Sequence, residues 1–277
     1  MIFERKHSGL FCNLLLVCVS ILFLFPLFWI IVTSMKGQAQ ALKYPLVLFP
    51  KTNMFMLNLR EVWSRAAWLQ SFKNTLVLTA GVWAAQMLVA IPAAYALGVM
   101  RFRGAGLLFV LILTRLLATP ESTMLANYVT VVKLGAYDSL AGIALPYLLS
   151  AQAVFLFRGA FKQMPASLRD SAIIDGCGDF QFLIRVGIPL IKPFIAAFSV
   201  ITGVFQWNAF FWPVLVTGSP SKRILGITLT FFGMKAESGS EWPLTMTAVL
   251  MVTAPLLIIF IIFQKKFINN IMKAWIY

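Results

Sequence analysis

PASLRDSAIIDGCGDF, residues 165–180, interrupts two long apolar stretches with Arg169, Asp170, Asp175 and Asp179. Pro165 suits the first turn of a helix, where its missing N–H has no intrahelical partner to lose. Gly176 suits the stop, because a helix C-terminus often closes in the left-handed conformation that glycine enters without strain. Between them Leu168, Ser171, Ala172 and Cys177 recur at spacings that share a face, and Arg169 falls elsewhere around the axis. The spacing predicts a short exposed helix with a compact, mildly apolar side. Two readings fit it: a docking element for another protein, and an interfacial helix lying on lipid.

The flanking sequence says what surrounds that helix. Of 277 residues, 60% are hydrophobic and 12% charged, and the mean hydropathy is +0.87. This is more apolar surface than a soluble core of that size buries, with too few charges to cover an exterior, so lipid supplies much of the solvent. Six candidate spans follow, at the length that crosses roughly 30 Å of hydrocarbon. They run from Leu10 to Ser34, Thr75 to Met100, Ala105 to Pro120, Leu140 to Phe157, Val186 to Leu215 and Leu244 to Phe263. Pro92, Pro146 and Pro255 fall inside spans, where each removes a backbone donor and bends a helix; packing geometry and a moving gate are both readings of such bends.

The first span follows Arg5, Lys6 and His7 but is too long for a signal peptide and lacks a small-residue cleavage pattern, so an uncleaved helix is expected. Short inside segments such as RFRG (101–104) concentrate basic residues next to helix ends, which favours cytoplasmic N- and C-termini. The segment from Lys36 to Arg65, outside on that assignment, carries YPLVLFP and is followed closely by Trp68 in WSRAAW, apolar and aromatic enough to lie at the interface. No repeat or linker divides the chain. It reads as one transmembrane domain, with residues 1–70 as first helix and outer segment, 71–268 as a core containing the loop 158–185, and 269–277 as a cytoplasmic tail.

Several function classes drop out. The net charge of +14 comes from Lys and Arg scattered between apolar runs rather than a basic stripe beside aromatics, which argues against nucleic acid. Cys12, Cys18 and Cys177 form no paired spacing, and His7 is the single histidine. No disulfide framework, metal site or Ser/His/Asp arrangement is supported, and no HExxH motif is present. The pattern G-x-x-x-x-G-K-[ST] is missing too, so the chain has no evident phosphate cradle.

The longer run MPASLRDSAIIDGCGDFQFLIRVGIPLIKP (164–193) resembles the EAA loop of bacterial ABC importer permeases, with Asp170, Ser171 and Ala172 in place of Glu-Ala-Ala, followed by Asp175, Gly176 and Cys177. FQWNAFFWPVLVT (205–217) resembles the fifth helix of carbohydrate-importing permeases, and the run from Glu241 to Ile268 resembles their last helix. TSMK (33–36) is similar to the family's segment after the first helix. The tail INNIMKAWIY (268–277) departs from the family, with Asn270 where a glycine is usual.

The resemblance implies an all-α fold of six transmembrane helices with a cytoplasmic coupling helix between the fourth and fifth. It implies a second permease subunit, two ATPase subunits that use ATP and Mg, and an external solute-binding protein; no cofactor is bound by this chain. Leu168, Asp170, Ser171, Ala172, Asp175 and Gly176 then map onto the ATPase-coupling motif. The implied location is the bacterial inner membrane, and the implied solutes are sugars, oligosaccharides or polysaccharide fragments, with glycerol phosphodiesters or polyols as the alternative. An ion-coupled secondary transporter is the competing class; it would more often show ten or more spans with inverted repeats.

Candidate pathway residues are Arg115, Trp207 and Asn208. An Arg at the centre of a span costs about 2.5–3.5 kcal/mol on insertion scales, so Arg115 is expected to face the bundle or a cavity, serving substrate or gating on one reading and as a structural ion pair or a snorkelling Arg on the other. Glu121 is a poorly placed partner, six residues on. Asn208 beside Trp207 and Phe210 offers hydrogen bonds and aromatic faces to a sugar, though aromatics at that spacing also serve plain packing.

Overall fold

A computed structural model of the protein describes the backbone of residues 5–41, 43, 47–236 and 241–276, and side chains over 12–41, 43, 47–119, 122–234 and 241–262. The described chain is helical: α1 (Arg5–Ser34), α2 (Gln38–Ala41), α3 (Phe55–Arg65), α4 (Trp68–Gly98), α5 (Ala105–Leu117), α6 (Pro120–Lys133), α7 (Leu140–Ala144), α8 (Ala151–Lys162), α9 (Ala166–Ile174), α10 (Asp179–Phe182), α11 (Ile188–Trp207), α12 (Phe211–Val216), α13 (Leu225–Ala236) and α14 (Trp242–Ile276). A π-helical segment, Leu183–Gly187, joins α10 to α11. Among the described residues, four helical stretches are long and apolar enough to cross a membrane, and up to six if each of two bent pairs counts as one span.

The bent pairs correct two of the expected spans. The third does not run to Pro120: α5 stops after 13 residues, about 20 Å, and the chain then turns by 100° into α6. The physical reason is Pro120, which opens α6 and holds Thr119 in extended geometry at ψ 145°. The fourth is broken after Tyr147: Leu140–Tyr147, whose last turn is a 3₁₀ turn holding Pro146, and Ala151–Lys162 are bent by 46° from one another. Ser139 and Ser150 start these pieces as N-caps, accepting hydrogen bonds from the Gly142 and Ala153 amides. Pro92 and Pro255, by contrast, lie inside uninterrupted helices.

The fifth span is shifted from the expectation, running from Asp179 to Trp207 rather than ending at Leu215, with α12 separate. Continuing the helix would set the Pro213 ring against the Ala209 carbonyl. That carbonyl is already crowded, since a Cβ built on Gly226 would lie 2.3 Å from it.

The residues form two compact units, Met1–Trp68 with Thr228–Leu257, and Leu69–Ile227 with Ile258–Tyr277. In the first, α1 exposes Leu16, Leu22 and Phe23 all round its circumference, the pattern of a helix solvated by lipid. Its C-terminal carbonyls are satisfied from a distance in sequence: the Asn58 amide nitrogen donates to the Ser34 and Lys36 oxygens at 2.8 and 3.0 Å. Lys36 is buried with its ammonium 4.7 Å from the Trp29 ring centroid, and desolvation lowers its pKa. Arg65 donates to Glu241 at 2.7 Å and also pairs with Glu61, which raises its already high pKa.

The second unit holds two clusters of buried side chains. One joins Ala94 and Tyr95 of α4 to Phe157 and Phe161 of α8 and Phe182 and Phe198 beyond them. The other joins Leu78 and Val82 of α4 to Val131, Ile143, Trp212 and Ile224. In hydrocarbon an exposed Phe is not penalised, so these clusters are held by dense packing and by the polar contacts threaded through them. Gln86 donates to the Tyr147 oxygen and accepts from Thr202, and Trp212 donates to the Ile143 oxygen.

Asp138 clasps the loop after α6 to the loop after α12. Its carboxylate accepts from the Gly218 and Ser219 amides at 2.9 Å and from the Ser219 hydroxyl. These bonds hold its pKa below the ordinary carboxylate value, the Ser219 hydroxyl being the largest cause. A depressed pKa means that the clasp is intact above the unfolded-state value and is lost as pH falls through the folded one. We expect exchange protection of the Gly218 and Ser219 amides, corrected for intrinsic rate, to be present at pH 7, to persist down to the ordinary Asp value of about 3.9, and to disappear only at lower pH. An Asp138→Ala variant should show no such protection at either pH.

Candidate functional site

Helix α9 is the short charged helix expected from the sequence, with Pro165 as its N-cap, one residue before the first turn. It closes in a Schellman arrangement: the Cys177 amide donates to the Ala172 oxygen at 2.9 Å, and the Gly176 amide to the Ile173 oxygen at 3.0 Å. Gly176 has φ +72°, so the left-handed stop is as expected.

The faces of α9 divide differently from the expectation. Ala172 and Cys177 pack against the cluster around Tyr95 and Phe182, while Ser171 is exposed and Leu168, only about 40° from Ala172 around the axis, is exposed at the edge of that face. At 100° per residue, Ala172 stands 60° from Arg169 one turn earlier, and Arg169 is the residue that points inward. Asp170 and Asp175 are exposed with Leu168. Ile173, Ile174 and Phe180, which the sequence reading did not single out, are 58%, 86% and 76% exposed. Their apolar character was legible in the sequence, but it was concealed among so many other apolar residues. Exposed apolar side chains of this kind on a charged helix suit a protein partner or a lipid surface.

Arg169 ties the helix to the bundle. Its Nη1 donates to the Val99 oxygen, just past the C-terminus of α4, at 3.0 Å, and its Nη2 lies 3.4 Å from the Asp179 carboxylate. Asp179 also accepts from the Tyr95 hydroxyl at 3.1 Å. Next to it, Arg158 donates to the Leu97 oxygen at 3.1 Å, with its guanidinium 3.7 Å from the Phe109 ring centroid. Two guanidinium groups therefore occupy the negative end of the α4 dipole. A displacement of α9 cannot leave the end of α4 behind without breaking these contacts.

The three pathway candidates separate. Arg115 is not at the middle of a span but in the last turn of α5, where it donates to the Ala118 oxygen at 3.1 Å, a favourable place for a cation at a helix C-terminus. The Glu121 side chain lies outside the described residues. Arg115 and Asn208 border the same cavity, of 460 Å³, together with Asn127, Tyr147 and Phe205. Asn208 is the C-cap of α11, and its amide donates to the Val204 oxygen at 2.8 Å. Trp207 is instead buried against Phe72, with ring centroids 6.0 Å apart, and does not line the cavity. A residue 100° from Asn208 cannot share its exposed side. A second cavity of 190 Å³, sharing Arg115, Tyr147 and Phe205 with the first, adds Gln86, Thr202 and Gln206, none of which the sequence marked.

No family model matches the chain. Over 99% of its length it is 29% identical to the sn-glycerol-3-phosphate transport system permease protein UgpE of Yersinia pestis bv. Antiqua, 99% of which is covered. The UgpE protein of Brucella abortus is 28% identical over the same shares of both chains. The fold matches a chain from the crystal structure of a bacterial ABC transporter involved in the import of the acidic polysaccharide alginate, with a TM-score of 0.84, 23% identity and coverage of 96% and 99% of the two chains. A chain from a bacterial alginate ABC transporter in complex with an alginate pentasaccharide-bound periplasmic protein matches at a TM-score of 0.57 and 13% identity. End-to-end similarity and a shared fold agree: this multi-pass membrane protein is similar over its whole length to transport-system permease subunits and has the fold of a membrane chain of an ABC importer.

Proposed function

We propose that this permease passes the force of ATP hydrolysis, performed by two partner ATPase subunits with Mg, through α9 into the end of α4. The carrying observation is the pairing of an exposed face, Leu168, Asp170, Ser171, Ile173 and Ile174, with an inner face fixed by Arg169 to Val99 and Asp179. Such a helix presents contact area to a groove on one side and a stiff joint on the other. Asp175 and Gly176 set the exit of the chain, and Ala172 seats the helix on the bundle. The chain acts as one transmembrane domain in the bacterial inner membrane with both termini cytoplasmic. It works beside a second permease subunit and receives solute from an external binding protein.

Its solutes are sugars, oligosaccharides or polysaccharide fragments. A glycerol phosphate is the second reading, favoured by what the relatives' names say they transport. Purification in mild detergent tests the assembly: the chain should bring down a second permease and ATPase subunits, and uptake should stop when ATP is depleted. Recovery of the chain alone, with uptake that follows an ion gradient and ignores ATP, would instead make it a secondary transporter.

A further inference from the structure

We propose that the cavity bordered by Arg115 and Gln206 is a binding site for an anionic, polyhydroxylated solute, with Arg115 taking the acidic group and the amides taking hydroxyls. The proposal rests on the importer reading and names the substrate class of this chain's own pathway.

Gln206 supplies the first observation. It is fully buried in the wall of the smaller cavity, and neither its amide oxygen nor its amide nitrogen has a hydrogen-bond partner. A buried amide left in that state is destabilising unless something that enters the cavity completes it. One turn earlier on the same face, Thr202 is satisfied by Gln86, and Gln86 by the Tyr147 oxygen, so the buried amide of Gln206 is the unsatisfied member of an otherwise settled polar row. A donor and an acceptor on one amide match a hydroxyl, which offers both in return.

Charge supplies the second. Arg115 borders both cavities, uses one N–H on the Ala118 oxygen, and forms an ion pair with no described carboxylate. A guanidinium has five N–H donors, and two of them suit a carboxylate or phosphate in a bidentate pair. Thr123 and Asn127 of α6 line the larger cavity and add a hydroxyl and an amide to it. The 100° break between α5 and α6 belongs to the same design, because non-helical backbone at membrane depth is tolerated where it lines a cavity. Tyr147 and Phe205, edge to face at 5.5 Å and shared by both cavities, provide the apolar surface on which a sugar's C–H groups rest.

The test uses the whole importer in proteoliposomes with its binding protein and ATP, and four probes: sn-glycerol 3-phosphate and trigalacturonate as acidic solutes, glycerol and maltotriose as neutral ones. The unaltered complex should take up an acidic probe. Arg115→Gln should lower that uptake about tenfold or more through a raised KM, while Arg115→Lys, which restores charge, should recover part of it. Gln206→Leu should also raise KM. If Gln206 were only a packing residue, the leucine would remove an unsatisfied amide and leave uptake unchanged in a more heat-stable complex. Equal uptake by Arg115→Gln and Arg115→Lys, unchanged KM in Gln206→Leu, or uptake of neutral probes alone or of none, overturns the proposal. Uptake that persists without ATP overturns the importer reading itself, whereas ATP-driven uptake indifferent to these substitutions sinks only the site.

Discussion

Replacing Gly176 with valine should reduce ATP-driven uptake by about tenfold or more. Gly176 sits at φ +72° with open space where a Cβ would go, so the substitution meets no steric neighbour and acts through the backbone alone. A left-handed conformation costs an L-residue about 1–2 kcal/mol, and a β-branched one more. The cheapest relief is to abandon the turn, which breaks the Cys177 to Ala172 and Gly176 to Ile173 hydrogen bonds and swings α9 relative to its inward anchor. A tenfold loss corresponds to about 1.4 kcal/mol, which is within that strain. The series should be graded: Asn, which tolerates the left-handed region, near the unaltered level, then Ala, then Val. Uptake should be measured beside copurification of the ATPase subunits, since the strain is expected to weaken docking and transport together. Normal assembly and transport by the valine variant would remove the support for α9 as the coupling element.

Arg169→Ala should separate hydrolysis from transport. The side chain is the part of α9 that reaches both Val99 and Asp179; the charged hydrogen bond to Val99 contributes about 1.5–3 kcal/mol, and the longer pair with half-exposed Asp179 about 0–1 kcal/mol. Without it the helix keeps its exposed face and can still occupy a groove, but its grip on the end of α4 is lost. The expected result is ATPase activity that continues in the assembled complex while solute uptake falls about tenfold or more. Arg169→Lys should be intermediate, because one ammonium replaces the charge but not a planar fork that spans two acceptors. Uptake and hydrolysis falling in step, with ATPase subunits lost on purification, would instead place Arg169 on the docking face and overturn its role as a joint.

How far the sequence carried differs between the two parts of the site. The identity of α9, its left-handed stop at Gly176 and its acidic positions were all legible, because caps and motifs are local and lie within a dozen residues. Its inward side was not: Leu168, Ser171, Ala172 and Cys177 satisfied a helical spacing, but spacing does not say where the bundle lies. Ala172 and Cys177 turn toward Tyr95 and Phe182, more than 75 residues upstream and a few residues downstream respectively, and Arg169 follows them. In the cavity, Arg115 stood out because a charge in an apolar run is conspicuous. Gln86, Thr202 and Gln206 did not, because single polar residues in long helices carry no local signature.

By itself, then, the sequence determined that the chain is a helical membrane protein and that one charged, capped helix interrupts it, since hydropathy, proline and glycine act through neighbouring residues. It also marked the family through motifs in order. Tertiary structure alone decided that Trp207 packs on Phe72 while Asn208 borders the same cavity as Arg115, and that Arg169 joins α9 to the end of α4. The first group depends on the order of residues along one strand of chain. The second depends on which distant carbonyls and rings are brought within hydrogen-bonding or packing distance, and in lipid, where burial of apolar groups adds little, those contacts settle which face turns inward.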